Sequence, residues 1–425
     1  GDVRIVQLNH THLMIRSEPN DSLFSKQWSF LNDGTNGGSG LADADATAAW
    51  DITTGGLTPN GDTIVVAVID QGFEITHVDL TENWFRNRLE IADNNLDDDG
   101  NGYVDDIMGW NVYSSTGTHF TDLHGTHVSG IVGARGDNHI GVTGVNWNVK
   151  ILPVSGSSSL ESTVVEAYAY VLEMRKMYNE TNGASGAFVV SANSSFGVDY
   201  GQPEDFPIWC AMFDSLGEAG VLSVGATANE NVNVDVDGDI PTACSSDFLV
   251  TVTNTNSNDQ LQNGSGFGLQ TIDLGAPGES IYSTVTNNFY GKKSGTSMAA
   301  PHVAGTIGLM YSAICPDVLN SFHHDPAGLA LYVKKQLMDS GTKPLEVLNG
   351  KVKTGGRLDV YEAVKSVSDH CLQIKLVGFD SDCDSCNGAV SAEILGESGQ
   401  VEFIWSNGQT GADIQDLCPG VYSVT

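Results

Sequence analysis

Uninterrupted apolar runs alternate with longer amphipathic stretches along most of the chain. Thr63-Ile-Val-Val-Ala-Val-Ile69 is nearly all apolar, which predicts a strand buried on both faces of a parallel sheet. Similar runs occupy Lys150–Val154, Ala187–Val190, Gly220–Val224 and Phe248–Val252, and Ser162–Tyr178 carries a helical pattern between two of them. Strand–helix alternation of this kind predicts a doubly wound, mostly parallel α/β sheet. After about residue 368 the texture changes to short alternating runs, Gly/Asn turns and cysteines. Val401–Trp405, Ser406-Asn-Gly408 and Gly420–Val424 predict a partial small β-sandwich over 369–425. Residues 1–18 read as an alternating strand, broken by Pro19-Asn-Asp-Ser22.

Charge changes this picture more than composition does. The 425 residues hold 53 acidic and 19 basic side chains, a net charge of −34. That balance argues against nucleic acid and anionic membrane surfaces as partners. No run approaches the roughly 20 apolar residues of a membrane span. Clustered carboxylates point to cations, while the dispersed ones keep a protein soluble. Seven cysteines, an odd number, include four after residue 368. Cys383-Asp-Ser-Cys386 has no matching pair at zinc-site spacing, so disulfides in an oxidising compartment are the better reading. The opening at Gly1 and the stop within Tyr422-Ser-Val-Thr425 suggest a segment of a longer precursor.

Three segments carry candidate chemistry. Val66-Ala-Val-Ile-Asp70-Gln-Gly72 sets a carboxylate at the carboxyl end of a buried strand, where open α/β sheets place their sites. His124-Gly-Thr-His127-Val-Ser-Gly130 sends a histidine into a helix lined with small residues; it lacks the Glu and the spacing of a zinc His-Glu-x-x-His. Ser294-Gly-Thr-Ser297-Met-Ala-Ala-Pro301-His-Val-Ala-Gly305 puts Ser297 at the start of a long apolar helix, with Pro301 in its first turns. Free backbone N–H groups and positive potential at such an end can face a developing oxyanion.

In the order Asp, His, Ser, these strings resemble the three signature segments of the subtilases, the subtilisin-like serine peptidases. The resemblance extends over residues 19–366 through Asn20–Trp28, Ala48–Gly55 and Ala276-Pro-Gly278. It implies a subtilisin-like catalytic domain over 19–368. It also implies Ser297 as nucleophile, His124 as its base and Asp70 as the group orienting the imidazole, with Asn229 sharing the oxyanion with the Ser297 N–H. Asn229 follows Thr-Ala where the family has Ala-Gly, and Gln71 stands where Ser or Thr is usual. Ser195-Phe196-Gly197 resembles the family strand that pairs with an extended substrate backbone. His127 and His302 read as packing residues. Cys210 and Cys244, flanking the Asn229 segment, are the expected disulfide.

Asp97-Asp-Asp99-Gly-Asn101-Gly-Tyr103-Val-Asp-Asp106 spaces oxygen ligands around glycines as a loop wrapping Ca²⁺ does, with Tyr103 offering its carbonyl. Met108 at position 12 rules out a full EF-hand. Asp79 with Asn138, Ile140 and Val142 resembles the strong calcium site of the family, which Gln27 could complete. Asp235-Val-Asp-Gly-Asp239 is either a third cation loop or a solvated turn. Residues 1–18 resemble the end of a propeptide cut near Ser17–Asp21. Residues 369–425 resemble the cysteine-containing repeats of adhesins and secreted enzymes of gliding bacteria. Together these imply a bacterial, secreted or cell-surface, monomeric, calcium-stabilised endopeptidase with broad protein or peptide substrates and its own propeptide as inhibitor. A narrow processing peptidase and an inactive binding protein on the same fold are the alternatives.

Overall fold

The computed structural model describes residues 18–35, 37–369, 373–379, 386–395, 403–418, 422 and 424. Residues 1–17 of the proposed propeptide strand, Val401 and Glu402 of the Val401–Trp405 run, and Gly420, Val421 and Ser423 of the Gly420–Val424 run fall outside these residues. The described chain divides between Ser368 and Asp369 into two compact units.

The larger unit is organised by nine strands: β1 Ile64–Asp70, β2 Trp110–Asn111, β3 Lys150–Ser155, β4 Phe188–Ser194, β5 Leu222–Ala226, β6 Leu249–Thr255, β7 Leu274–Pro277, β8 Thr342–Pro344 and β9 Gly356–Leu358. Their order is β8-β9-β7-β6-β5-β4-β1-β3-β2. Every pairing is parallel except that of β8 with β9. The apolar runs thus form the centre of a doubly wound sheet, as their lack of alternation predicts.

The sheet's period of two splits one run between two cores. Ile64, Val66 and Val68 face α1 (Leu123–Gly133) and α4 (Thr296–Ala313). Val65, Ala67 and Ile69 face α2 (Glu161–Thr181) and α3 (Pro207–Glu218). All six are at most 1% exposed, and burial of each large side chain stabilises the fold by about 1.5–3 kcal/mol. Helix α4 is apolar all round and buried along nearly its whole length, which is the expected state of such a helix. Pro301 falls in its second turn; the carbonyl four residues back belongs to Ser297, which instead accepts a hydrogen bond from Ser195 Oγ at 2.9 Å. Cys210 and Cys244 form the expected disulfide, joining α3 to the segment before β6.

The smaller unit has strands β10 Gln373–Phe379, β11 Gly388–Leu395 and β12 Asp413–Leu417 in one antiparallel sheet. Val390, Trp405, Ile414 and Leu417 form its core, and Cys386 pairs with Cys418. Gly408 takes φ +84° in the turn after Trp405. Among the described residues of this unit this is the one sheet, where a sandwich would need a second.

Candidate active site

The carboxyl ends of β1, β4 and β5 lie side by side, and each strand delivers one part of the site. β1 ends on Asp70, whose side chain is 2% exposed. Its backbone is held by N–H groups of Gly156 and Ser157 to its carbonyl and by the parallel register with Ser155. β4 runs into Ser195–Gly197, and β5 into Thr227–Asn229.

His124 is the second residue of α1. The N-cap Asp122 accepts hydrogen bonds from the His124 and Gly125 N–H groups, fixing where the helix starts and therefore where the imidazole stands. His124 Nδ1 lies 3.0 and 2.9 Å from the two Asp70 oxygens. Burial disfavours the charged ring, but the Asp70 carboxylate and its hydrogen bond outweigh it and raise the His124 pKa above its ordinary 6.5. Gly125 makes this approach possible, since a Cβ there would meet the Gly72 carbonyl at 2.2 Å and Asp70 Cβ at 3.0 Å.

Ser297 is the second residue of α4, following Gly295 at φ +147°. Its hydroxyl donates to the Ser195 carbonyl at 3.1 Å, while Ser195 Oγ donates to the Ser297 carbonyl at 2.9 Å. The reciprocal pair ties the helix start to the end of β4. The hydroxyl's hydrogen bond therefore goes to Ser195. Asn229 accepts the Thr296 N–H on Oδ1 at 2.9 Å, which orients its carboxamide and leaves the NH₂ end as the donor. Ser195, Phe196, Gly197, Asn229 and Ser297 all line one small cleft of about 70 Å³. Gly197 is needed where it stands, because a Cβ would lie 2.1 Å from the Ile240 carbonyl. A separate cleft of about 640 Å³, whose lining includes Asp62, Lys150 and Tyr178, contains none of these residues.

His127 and His302 are fully buried and bonded to backbone carbonyls of Ile281 and Met298. Burial pushes them down to about 3 and about 4, so both are neutral packing groups.

The acidic loop contains a group with metal-ligand spacing, but its membership differs from the spacing argument. Glu90, Asp99 and Asp106 bring carboxylate oxygens within 4.8 Å of one another. Asn101 donates its amide to Asp106 at 2.9 Å, and burial pushes Asp106 up to about 6. Asp97 instead accepts the N–H groups of Gly100, Asn101 and Gly102 and shapes the turn. The Tyr103 ring packs on Trp110 and Tyr170. Glu90 lies outside the alternating motif, so spacing along the loop could not identify it.

Around Asp79 the structure assembles Asn138, which donates to Oδ1 at 2.8 Å, and the Val142 N–H, which donates to Oδ2 at 2.9 Å. The Ile140 N–H turns back to Asn138 Oδ1. Gln27 clamps the Thr143 backbone on both sides. Asp21 joins this group unannounced by any motif. Its Oδ1 is buried and accepts no hydrogen bond. Burial holds Asp21 at about 6 and Asp79 at about 7, with the Asp137 carboxylate pushing Asp21 further up and Asp21 doing the same to Asp79. Two buried carboxylates and an orphaned oxygen fit a hard cation.

The subtilase family profile matches residues 61–320. Subtilisin-like protease 1 of Plasmodium falciparum is 32% identical over 288 residues, 60% of this chain and 38% of that protein. The major intracellular serine protease of Bacillus subtilis is 30% identical over 257 residues, 59% of this chain and 69% of that protein. The chain spans about half or less of the length of the Plasmodium relatives. A solved protease structure from Pseudoalteromonas arctica superposes with a TM-score of 0.57 at 26% identity, covering 83% of this chain and all of that one. The profile match alone takes in more than half of the residues, and its span holds Asp70, His124, Asn229 and Ser297, so the chain belongs to the subtilase family.

Proposed function

We propose that this chain is the catalytic part of a secreted or cell-surface serine endopeptidase that cleaves proteins and peptides through an acyl-enzyme. The observation that carries the reading is the Asp70–His124 pair at the strand ends, together with Ser297 at a helix N-terminus lining a shared cleft with Asn229. Ser297 Oγ attacks the scissile carbonyl as His124 takes its proton. The Ser297 N–H and Asn229 NH₂ receive the negative charge on the carbonyl oxygen. His124 then returns the proton to the leaving amine, and water repeats the cycle on the ester. Ser195–Gly197 pairs with the substrate backbone, which makes recognition broad along most of the peptide. Extracellular proteases among the relatives support secretion, and among the described residues no helix is long and apolar enough to cross a membrane. Residues 1–18 act as the end of an inhibitory propeptide, and the mature enzyme works as a monomer on a 19–368 domain.

A phosphonofluoridate, which phosphonylates activated serines with loss of fluoride, tests the reading. Intact-mass and peptide mapping are expected to find one adduct, on Ser297. Its rate should fall as pH drops, with a midpoint above the ordinary histidine value of 6.5, because protonation of His124 removes the base. An adduct elsewhere, or none in protein that is folded and matured, would overturn the proposal.

Calcium supplies structural stability in this reading. Asp21 and Asp79 with Asn138, and the Glu90–Asp99–Asp106 group, are the carboxylates that would hold it. A ligand at 100 times its Kd stabilises by about 2.7 kcal/mol. Chelation is therefore expected to lower Tm and shorten the active half-life through self-digestion, with both restored by added Ca²⁺. A Tm unmoved by chelator would remove calcium from the account.

A further inference from the structure

The acidic run Asp235–Asp239 does not act as one loop. Asp235 accepts the N–H groups of Gln270 and Thr271, and Asp237 that of Asn233. Asp239 turns inward, is 1% exposed, and lines the same cleft as Ser297 and Asn229. Its hydrogen bonds from Thr227 Oγ1 at 3.1 Å, the Ala228 N–H at 3.0 Å and Thr242 Oγ1 all end on Oδ2. Oδ1 takes part in none of them. The other ionisable residue of the cleft lining is Asp199, and no Lys, Arg or His is among the lining residues. Burial, with Asp199 adding to it, holds the Asp239 carboxyl up at about 7. A buried carboxylate anchored on one oxygen, with a second carboxylate nearby and no cation, is complementary to an incoming positive charge.

Resting on the serine-peptidase reading, we infer that Asp239 determines specificity by selecting Lys or Arg as the residue immediately before the scissile bond. That residue's carbonyl is attacked by Ser297, so its side chain enters the cleft that adjoins Ser297. Ala226, Ala228 and Gly197 line the way in and suit the aliphatic stem of a basic side chain, whose head then reaches Oδ1. Recognition through Ser195–Gly197 remains indifferent to the other side chains, so substrates stay varied while the cut site is restricted.

The test is kcat/KM on peptides that differ only before the cut, carrying Lys, Arg, Leu, Ala or Glu. Lys and Arg should exceed Leu by about tenfold or more, with Glu the slowest. Asp239→Asn should bring the Lys-to-Leu ratio close to one, with Ser297 still labelled by the phosphonofluoridate; Asp199→Asn, at the exposed rim, should lower the ratio less. Equal or faster cleavage after Leu or Ala by the wild type would overturn the inference, whether or not the Asn variant folds. So would an unchanged ratio in a folded Asp239→Asn. Failure of every peptide together with failure of Ser297 labelling would instead bring down the peptidase reading itself.

Discussion

Ser297→Ala is expected to lower kcat on casein or a peptide by a factor on the order of 10⁶, the scale on which a subtilisin responds to losing its serine. The oxygen removed is the one that forms the covalent bond, so no neighbour can replace it. What should remain is a residual acceleration of about 10³–10⁴ over water, supplied by backbone binding and the oxyanion donors. The fold should survive. The hydroxyl's recorded bond is to the Ser195 carbonyl at 3.1 Å, and losing one such bond costs about 1 kcal/mol. The rest of α4 stays buried between the sheet and α1. A folded Ala variant, checked by thermal melting, that keeps more than a trace of activity would place the nucleophile elsewhere.

Asn229→Ala is expected to lower kcat by about 10²–10³, or about 2.7–4 kcal/mol of barrier, a scale also set by a subtilisin's oxyanion asparagine. KM should change little, because the NH₂ meets a full negative charge only in the transition state. Alanine also leaves the Thr296 N–H without its acceptor, which itself costs about 1–3 kcal/mol of stability if that group is kept from water. Asn229→Asp separates the two roles. It retains an oxygen for Thr296 and removes the donor, so it should lose kcat as the Ala variant does while melting closer to wild type. An Asp variant with full kcat would show that Asn229 only fastens the start of α4.

The fold was legible because its signals are local. A run such as Thr63–Ile69 is apolar at every position, and only a strand covered on both faces can hide all of it. The observed strand, Ile64–Asp70, differs by a single residue at each end. The Ser294–Gly305 string carries its helix start, its small residues and its proline together. The calcium-type loop was readable as a loop, through Gly100 and Gly102 at positive φ. Its ligand group was not, because Glu90 comes from a separate segment ahead of the loop and Asp97 is consumed by backbone N–H groups. Asp21 was equally silent: a lone carboxylate near the start of the chain has no pattern, and it meets Asp79 only after folding.

The sequence by itself determined the sheet and its helices and the order Asp70, His124, Ser297. These depend on residue type and spacing, which the chain displays directly. Tertiary structure alone decided that Asp239 leaves an acidic turn for the cleft of Ser297, that the Ser297 hydroxyl is lent to Ser195, and that Asp21 stands by Asp79. Each outcome joins residues from different strands and loops. Whether a carboxylate is solvated, orphaned or aimed into a cleft is set by burial and by which donors arrive from elsewhere in the chain, and neither is written in the residues around it.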